Sequence, residues 1–498
     1  MKHKIYIIVL VSLIGLFGCN DFLDVTSSEK ILQKDLFKDS NGFRMAVNGV
    51  YKDLSSPNLY GKNLSWGFVS AIGHNYEVSQ TTLPSDLYQS AIFRWDVSDT
   101  QMIADAIWSR AYNIIANCNN IIQETESRDS LFFREKSLEK NLILGEMYGL
   151  RAMMHFDMLR LFAPAPVMNY SGSSIPYVEK YPDYHPIHQS TTDVLNNIIT
   201  DMEKAKEILA PIDTIKFRSI MTYPENRYRT FYYTELKEGE FFNYRCQRMN
   251  FFAATALLAR VYLYKGDFEN AFANANLIYK YHKLNWFKWT DPNNQGQSND
   301  VDMVHIKRPD ESLFLLHNSK NFENIEAYTL VGTSGIHRFR MNKMDELFQN
   351  DLDDFRYLGW YNRDGLQRYL TWMRPTGTSE FAQKIAQYQG PLIPIIRFSE
   401  MYHVMIEYYI HKGNIPEAIN LLNDLRLARG AKARVANDVT SDVLMDKLVI
   451  DIIRETLTEG QTFFMYKRLK RDIFNGATNI IMEPQDWTIP IPHSETAY

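Results

Sequence analysis

His185 and His188, in His185-Pro-Ile-His188, have a spacing that can chelate a metal, but the stretch around them is rich in Pro and Tyr and reads as plain surface. The neighbouring carboxylates Asp353 and Asp354 are the next candidates. Cleavage of a glycosidic bond needs two carboxylates flanking that bond, and adjacent residues rarely face each other that way, so Asp354-Phe-Arg356 reads as structural. His155 lies on an apolar helical stretch and reads as a satisfied core histidine. The chain has no G-x-S-x-G, no H-E-x-x-H, no Gly-rich phosphate loop and no Cys/His metal spacing. The expectation is a protein without catalytic residues, metal or cofactor.

Binding chemistry is better supplied. The chain carries 30 Tyr, 29 Phe and 8 Trp. Sugar rings lay apolar C–H faces on such rings, while their hydroxyls need planar polar partners, in a concave and partly apolar site. The aromatics in irregular stretches are the candidates: Trp66, Tyr76 and Tyr88, then Trp289, Trp360, Tyr361 and Trp372, with Asn75, Asn293 and Asn294 as polar partners. Trp108 and Tyr112 recur at helical spacing and should be core, and Trp286 should pack at the end of a helical repeat.

These residues need a scaffold, and the periodicity predicts a mostly α one. Apolar residues recur with helical period in Ile103–Glu124 and cover most faces of Lys140–Phe162, which Pro164 and Pro166 stop. Two later stretches repeat each other: an aromatic-rich helix, then Gly266 or Gly413, then Ala271 or Ala418 five places on. Glycine closes a helix in the left-handed conformation, Asp267 or Asn414 can cap the next helix, and Pro416 fits a first turn. This is the turn of tetratricopeptide-like helix pairs. Helical scaffold is expected at about 30–55, 100–165, 190–210, 245–283 and 395–475, with loop-rich ligand-binding regions at about 55–100 and 285–390.

The N-terminus places the protein. Lys2, His3 and Lys4 precede an apolar run from Ile5 to Phe17, the layout of a secretory signal and too short to span a bilayer as a helix. Leu16-Phe17-Gly18-Cys19 resembles the lipobox of bacterial lipoproteins, which makes 1–18 a signal peptide and Cys19 the lipidated residue, with 19–498 a single domain. Two or more acyl chains hold a protein on a membrane where one would not. The formal net charge of −5, without any basic run, argues against nucleic acid. Cys118 reads as a core residue, and no Cys118–Cys246 disulfide is expected.

In order along the chain, Gly42–Leu54, then Trp108, Tyr112, Ile115 and Asn119, then Gly145–Val167, then Arg397, Glu400, Glu407 and Arg426, then Glu455, Glu459, Gly460 and Lys467-Arg468, resemble the motifs of the SusD/RagB family of nutrient-binding lipoproteins. The chain departs from many members at Thr462 and Met465. The resemblance implies a SusD-like helical fold with tetratricopeptide-like units and a loop-rich ligand face. It also implies outer-membrane anchoring at the cell surface and starch-binding-like capture of a glycan or oligosaccharide for polysaccharide utilisation. The implied partner is a SusC-like TonB-dependent barrel. A peptide-binding member of the same family, or a lipid-anchored tetratricopeptide scaffold that binds only proteins, stays open.

Overall fold

Several of the long helices begin where a short polar side chain can satisfy their first backbone N–H groups. The computed structural model describes residues 33–223, 227, 236–290, 307–308, 310–321, 323–325, 343–359, 361–364, 367–370 and 390–496. Helix α1 (Ser40–Leu54) follows Asp39, whose carboxylate accepts from the Gly42 N–H at 3.1 Å. After α2 (Ser98–Glu126) and α3 (Lys136–Phe162), α4 (Thr191–Pro211) is capped by the Ser190 hydroxyl, which accepts from Asp193 at 3.1 Å. The Asn250 amide oxygen accepts from both Phe252 and Ala253 at 3.0 Å to start α5 (Phe251–Lys265). Asp267 starts α6 (Phe268–Lys283) in the same way, accepting from Asn270 at 3.1 Å.

The helices then pack as a sequence of neighbours. Helix α3 lies against α2 and α4, α4 against α5, and α5 against α6. Helix α6 leads to α7 (Ser399–His411), which pairs with α8 (Ile415–Ala428) and touches α9 (Ser441–Thr456). The short α10 (Thr462–Leu469) closes the chain's helical part. Strands among the described residues come only as two-stranded antiparallel pairs: β1 (Ser173–Pro176) with β2 (His188–Ser190), β3 (Ser312–His317) with β6 (Leu392–Arg397), β4 (Tyr361–Asp364) with β5 (Gln367–Leu370), and β7 (Ile473–Phe474) with β8 (Asn479–Ile480).

The repeated helix pairs form as their glycines require. Gly266 and Gly413 sit at φ +85° and +72°, and Ala271 and Ala418 are fully buried where the helices meet. Asp267 caps its helix, whereas Asn414 makes no side-chain cap and Pro416 alone sets that first turn. A Cβ at either glycine would meet nothing within 4 Å, so the penalty for alanine is backbone conformation alone. Gly266→Ala and Gly413→Ala should each destabilise the protein by about 1 kcal/mol. Urea unfolding checks this, and unchanged midpoints for both variants contradict it.

Helix α3 is the core of the assembly: every residue from Leu142 to Phe162 is buried. A helix buried on all sides must satisfy its polar groups internally. Arg151 donates to both oxygens of Asp201 at 2.6 and 2.7 Å and to Asn119 at 2.7 Å. The Val178 N–H donates to His155 Nε2 at 3.0 Å, which leaves Nδ1–H to donate to the Arg151 carbonyl at 3.0 Å. His155 is thus the satisfied core histidine expected, stacked on Tyr177 with ring centroids 3.9 Å apart. Burial pushes its pKa down from 6.5 to about 3, outweighing the pull of its carbonyl bond.

The sign of the consequence follows. The unfolded chain takes up this proton first on acidification, so the neutral ring's contribution is intact above pH 6.5. It is lost as pH falls from there towards 3, at up to about 1.4 kcal/mol per pH unit. The His155 ring carbon signals should keep their neutral NMR shifts down to pH 4.5. A titration midpoint near 6.5 would contradict this.

Two expectations about loops need correction. Residues 55–100 are not an open ligand face over their first half. They wind through tight turns and short helices at Phe68–Ile72 and Ser85–Ala91, and nearly all of 59–76 is buried. The segment satisfies its own backbone: Ser65 donates to the Tyr60 carbonyl, and Ser70 to the Ser65 carbonyl, both at 2.6 Å. Within 285–390, Ser312–His317 is a buried strand whose Phe314 pairs with Ile396 and His317 with Leu392. Its apolar run crosses the core rather than looping over it. Cys118 and Cys246 are buried free thiols. Residues 1–18 and Cys19 lie outside the described residues, and no described helix is long and apolar enough to cross a membrane.

Candidate functional site

Three segments far apart in sequence enclose a cleft of about 590 Å³. The first is the last turn of α1 with Ser55, Ser56 and Pro57; the second runs from Glu240 to Arg248; the third is the turn from His317 to Asn324 after β3. Hydrogen bonds clamp them together. Asn318 donates its amide to the Ser55 carbonyl at 2.7 Å, and its backbone N–H to the Pro391 carbonyl at 2.9 Å.

The floor is an ion cluster. Arg248 donates to Glu146 Oε2 at 2.8 Å and Arg245 to Glu146 Oε1 at 2.6 Å. Burial alone would raise the Glu146 carboxyl, but Arg248 and Arg245 override it and hold the group below the usual carboxylate range. Tyr51 donates to Glu146 Oε2 and accepts from the Met249 N–H, each at 2.9 Å. Burial, then the Glu146 charge, keeps that phenol protonated far above its ordinary pKa. The floor is fully partnered and therefore rigid.

The wall is different. Asn243 is only 3 % exposed, and its amide Nδ2 has no hydrogen-bond partner among the described residues. The buried Ser56 hydroxyl in the same cleft also has none among them. A buried donor left unmade costs about 1–3 kcal/mol, and such exceptions in native proteins call for a reason. Beside Asn243, Tyr244 holds φ +55° and ψ +42° between two 3-10 turns, Glu240–Phe242 and Arg245–Gln247. A bulky residue in the left-handed region is strained, and such strain clusters at ligand sites. It sets a half-buried ring at the cleft, with its hydroxyl donating to Glu240 at 3.4 Å. An aromatic ring, an unused amide and further amides from Asn48, Gln247 and Asn324 make a surface that can stack a ring and bond its oxygens.

Other cavities offer less. One of about 70 Å³, lined by Arg160, Tyr264 and His403 among others, has room for a few waters only. A cleft of about 660 Å³ beside α9 and α10 has no unpartnered buried polar side chain in its lining, and its Arg471 is paired with Asp446 at 2.5 Å.

The ligand residues expected from sequence lie elsewhere. Trp66 is 2 % exposed and donates to the Gly61 carbonyl at 3.0 Å; Tyr76 is 1 % exposed and donates to the Trp66 carbonyl at 2.6 Å. Asn75 is fully buried with its amide on the Leu457 carbonyl. These three are therefore corrected to structural residues that pin the 55–76 turns. Tyr88 is half-buried against the core, and Trp289 packs on Phe398, Tyr402 and the Arg429 guanidinium. None of the five lines the cleft. Trp360, Trp372, Asn293 and Asn294 lie outside the described residues, as does the side chain of Tyr361, whose backbone is in β4. Asn243 and Tyr244 escaped sequence reading because they fall between the scaffold segments expected at 190–210 and 245–283. The adjacent amide and phenol were the available signal.

Of the remaining candidates, His188 Nδ1 is spoken for by the Ser174 carbonyl at 2.9 Å. Arg356 bonds both oxygens of Asp354, which confirms that residue as structural, and Asp353 sits at the surface opposite Lys432. Trp108 is core, Tyr112 is half-buried against it, and Trp286 packs on Phe252 and Tyr281 at the end of α6. Among the described residues no group of three or more His, Cys, Asp or Glu could hold a metal.

Residues 21–220 match a sequence-family model described as SusD-like, starch-binding associating with outer membrane. SusD-like protein P2 of Formosa agariphila is 24 % identical over 285 residues, 56 % of this chain and 46 % of that protein. The fold agrees over nearly the full length: a SusD superfamily protein from Bacteroides thetaiotaomicron superposes with a TM-score of 0.65 at 20 % identity, covering 92 % of this chain and 98 % of that one. The chain is thus similar to SusD-like proteins, in sequence pattern over residues 21–220 and in fold over nearly its full length. A SusD-like carbohydrate binding protein of Bacteroides vulgatus shares the fold at TM-score 0.63 and 16 % identity, covering 87 % of this chain and 84 % of its own. The chain spans less than half the length of the curated relatives it matches, 46 % of P2 and 31 % of SusD-like protein P25.

Proposed function

We propose that this SusD-like protein captures a glycan at the cell surface, without cleaving it, and delivers it to a SusC-like TonB-dependent barrel in the outer membrane. One observation carries the binding half: the buried, unpartnered Asn243 amide beside the strained Tyr244 ring in an open cleft. A ligand hydroxyl would complete the amide, and a sugar face would cover the ring. The likeness of residues 21–220 to the SusD-like, starch-binding family pattern supports the sugar and the membrane. The lipobox-like Leu16–Cys19 supports a lipid anchor on Cys19 after removal of 1–18, with the rest of the chain one domain.

Calorimetry of the mature protein against a panel of neutral and acidic polysaccharides tests the ligand class. Saturable binding to at least one glycan, with no change in that glycan's length after incubation, is expected. Absence of binding across the panel, together with tight capture of a peptide or of a protein only, would replace this reading. Affinity purification from the native membrane should bring down a TonB-dependent barrel, and mass spectrometry should find acyl chains on Cys19.

A further inference from the structure

Resting on the glycan reading, we infer that the cleft takes an anionic glycan, one whose sugars carry carboxylate or sulfate groups. The argument is the imbalance of its unused hydrogen-bonding groups. Asn243 Nδ2 can only donate, and the Ser56 hydroxyl has a proton to give. Lys52 at the end of α1 and Lys320 beyond β3 line the same cleft, and neither has a counter-carboxylate among the described residues.

Of the two carboxylates in the lining, Asp53 has a cationic partner and Glu240 has only a phenol. Arg110 faces Asp53 at 3.3 Å, and Glu240 accepts from Tyr244 at 3.4 Å. Arg248 is neutralised from beneath by Glu146. What faces an incoming ligand is therefore two ammonium groups and two unused donors from three separate segments, against the single carboxylate of Glu240. A neutral sugar offers each donor a hydroxyl that must itself find an acceptor. A carboxylate or sulfate accepts from several donors at once, through shorter and stronger bonds.

Titration calorimetry with backbone-matched ligands tests this. One series is cello-oligosaccharides, the same chains oxidised at C6 to glucuronates, and the same chains sulfated at C6. The other is methyl-esterified against free oligogalacturonates. In a series that binds, the anionic members should bind at least tenfold tighter than the neutral ones, and the preference should shrink at high salt. The carboxylate and sulfate arms separate the two sources of charge. The Lys52→Ala/Lys320→Ala double variant, altered only at exposed positions, should lose the preference while neutral binding persists. Equal or tighter binding of the neutral members overturns the inference and leaves the glycan reading standing, as does a preference that survives the double variant. Failure of both series and of the wider panel sinks the glycan reading with it.

Discussion

Replacing Glu455 with alanine is expected to lower stability by about 3–5 kcal/mol, because it strips the shared counter-ion from a buried cluster of guanidinium groups. Glu455 accepts from Arg356 Nη1 at 2.9 Å and from Arg429 Nη2 at 2.5 Å, while Arg397 donates to its backbone carbonyl at 2.6 Å. Arg356 and Arg429 are fully buried. Of their other partners, Asp354 serves Arg356 alone among the described residues, whereas Asp451 is shared with His403 and Glu311 with Arg308. These contacts hold α9 against the segment after α8 and the turn before β3. Burial would raise the Glu455 carboxyl, yet the Arg429, Arg397 and Arg356 charges hold it well below the usual range. By linkage, its contribution is complete at pH above the unfolded carboxylate pKa near 4.3. It fades as pH falls from there towards the lower folded value. Urea unfolding at pH 7 reads the loss. The exposed pair of Arg471 with Asp446 gives the contrast: Asp446→Ala should barely move the midpoint. Equal effects from the two variants would mean that the buried cluster does not organise the fold.

The second large effect concerns binding without stability. Asn243→Ala removes a buried amide whose nitrogen bonds to none of the described residues, so the folded protein should be as stable as before or slightly more so. Tyr244→Gly replaces a strained aromatic with the residue that adopts φ +55° freely, so the backbone should also keep its shape. Glycan affinity should fall in each. A lost stacking surface contributes about 0.5–1.5 kcal/mol and a lost hydrogen bond about 1 kcal/mol or more. The double variant should therefore bind roughly 10- to 60-fold more weakly, measured by calorimetry beside a thermal melt. Loss of affinity with an unchanged melt is the signature of a ligand site. Unchanged affinity would make the open amide a mere packing defect.

Much of the scaffold was readable because it rests on local rules. The left-handed glycines at 266 and 413, the cap at Asp267, the all-round apolar helix ending before Pro164 and the core histidine 155 each follow from a few neighbouring residues. Trp66, Tyr76 and Asn75 misled for a physical reason. Irregular sequence rich in aromatics suits an exposed binding loop and an inward-packed one equally, and burial is decided by helices distant in the chain. Asn75, for instance, bonds to Leu457. The cleft was unreadable for the same reason, since Ser56, Asn243 and Asn318 meet only after α1, β3 and the 240–248 turns have assembled. Arg397, Glu455 and Gly460 marked the family in sequence. Only the structure shows that the first two meet in a buried ion cluster and that Gly460 approaches the Leu64 carbonyl too closely for a Cβ.

A crystal structure of the mature protein with an oligosaccharide that it binds in solution would test the central claim most directly. The account predicts a sugar ring against Tyr244, with one of its oxygens within hydrogen-bonding distance of Asn243 Nδ2. A ligand seated on the Trp360–Trp372 segment, with the cleft between Ser56 and Asn318 empty, would contradict it.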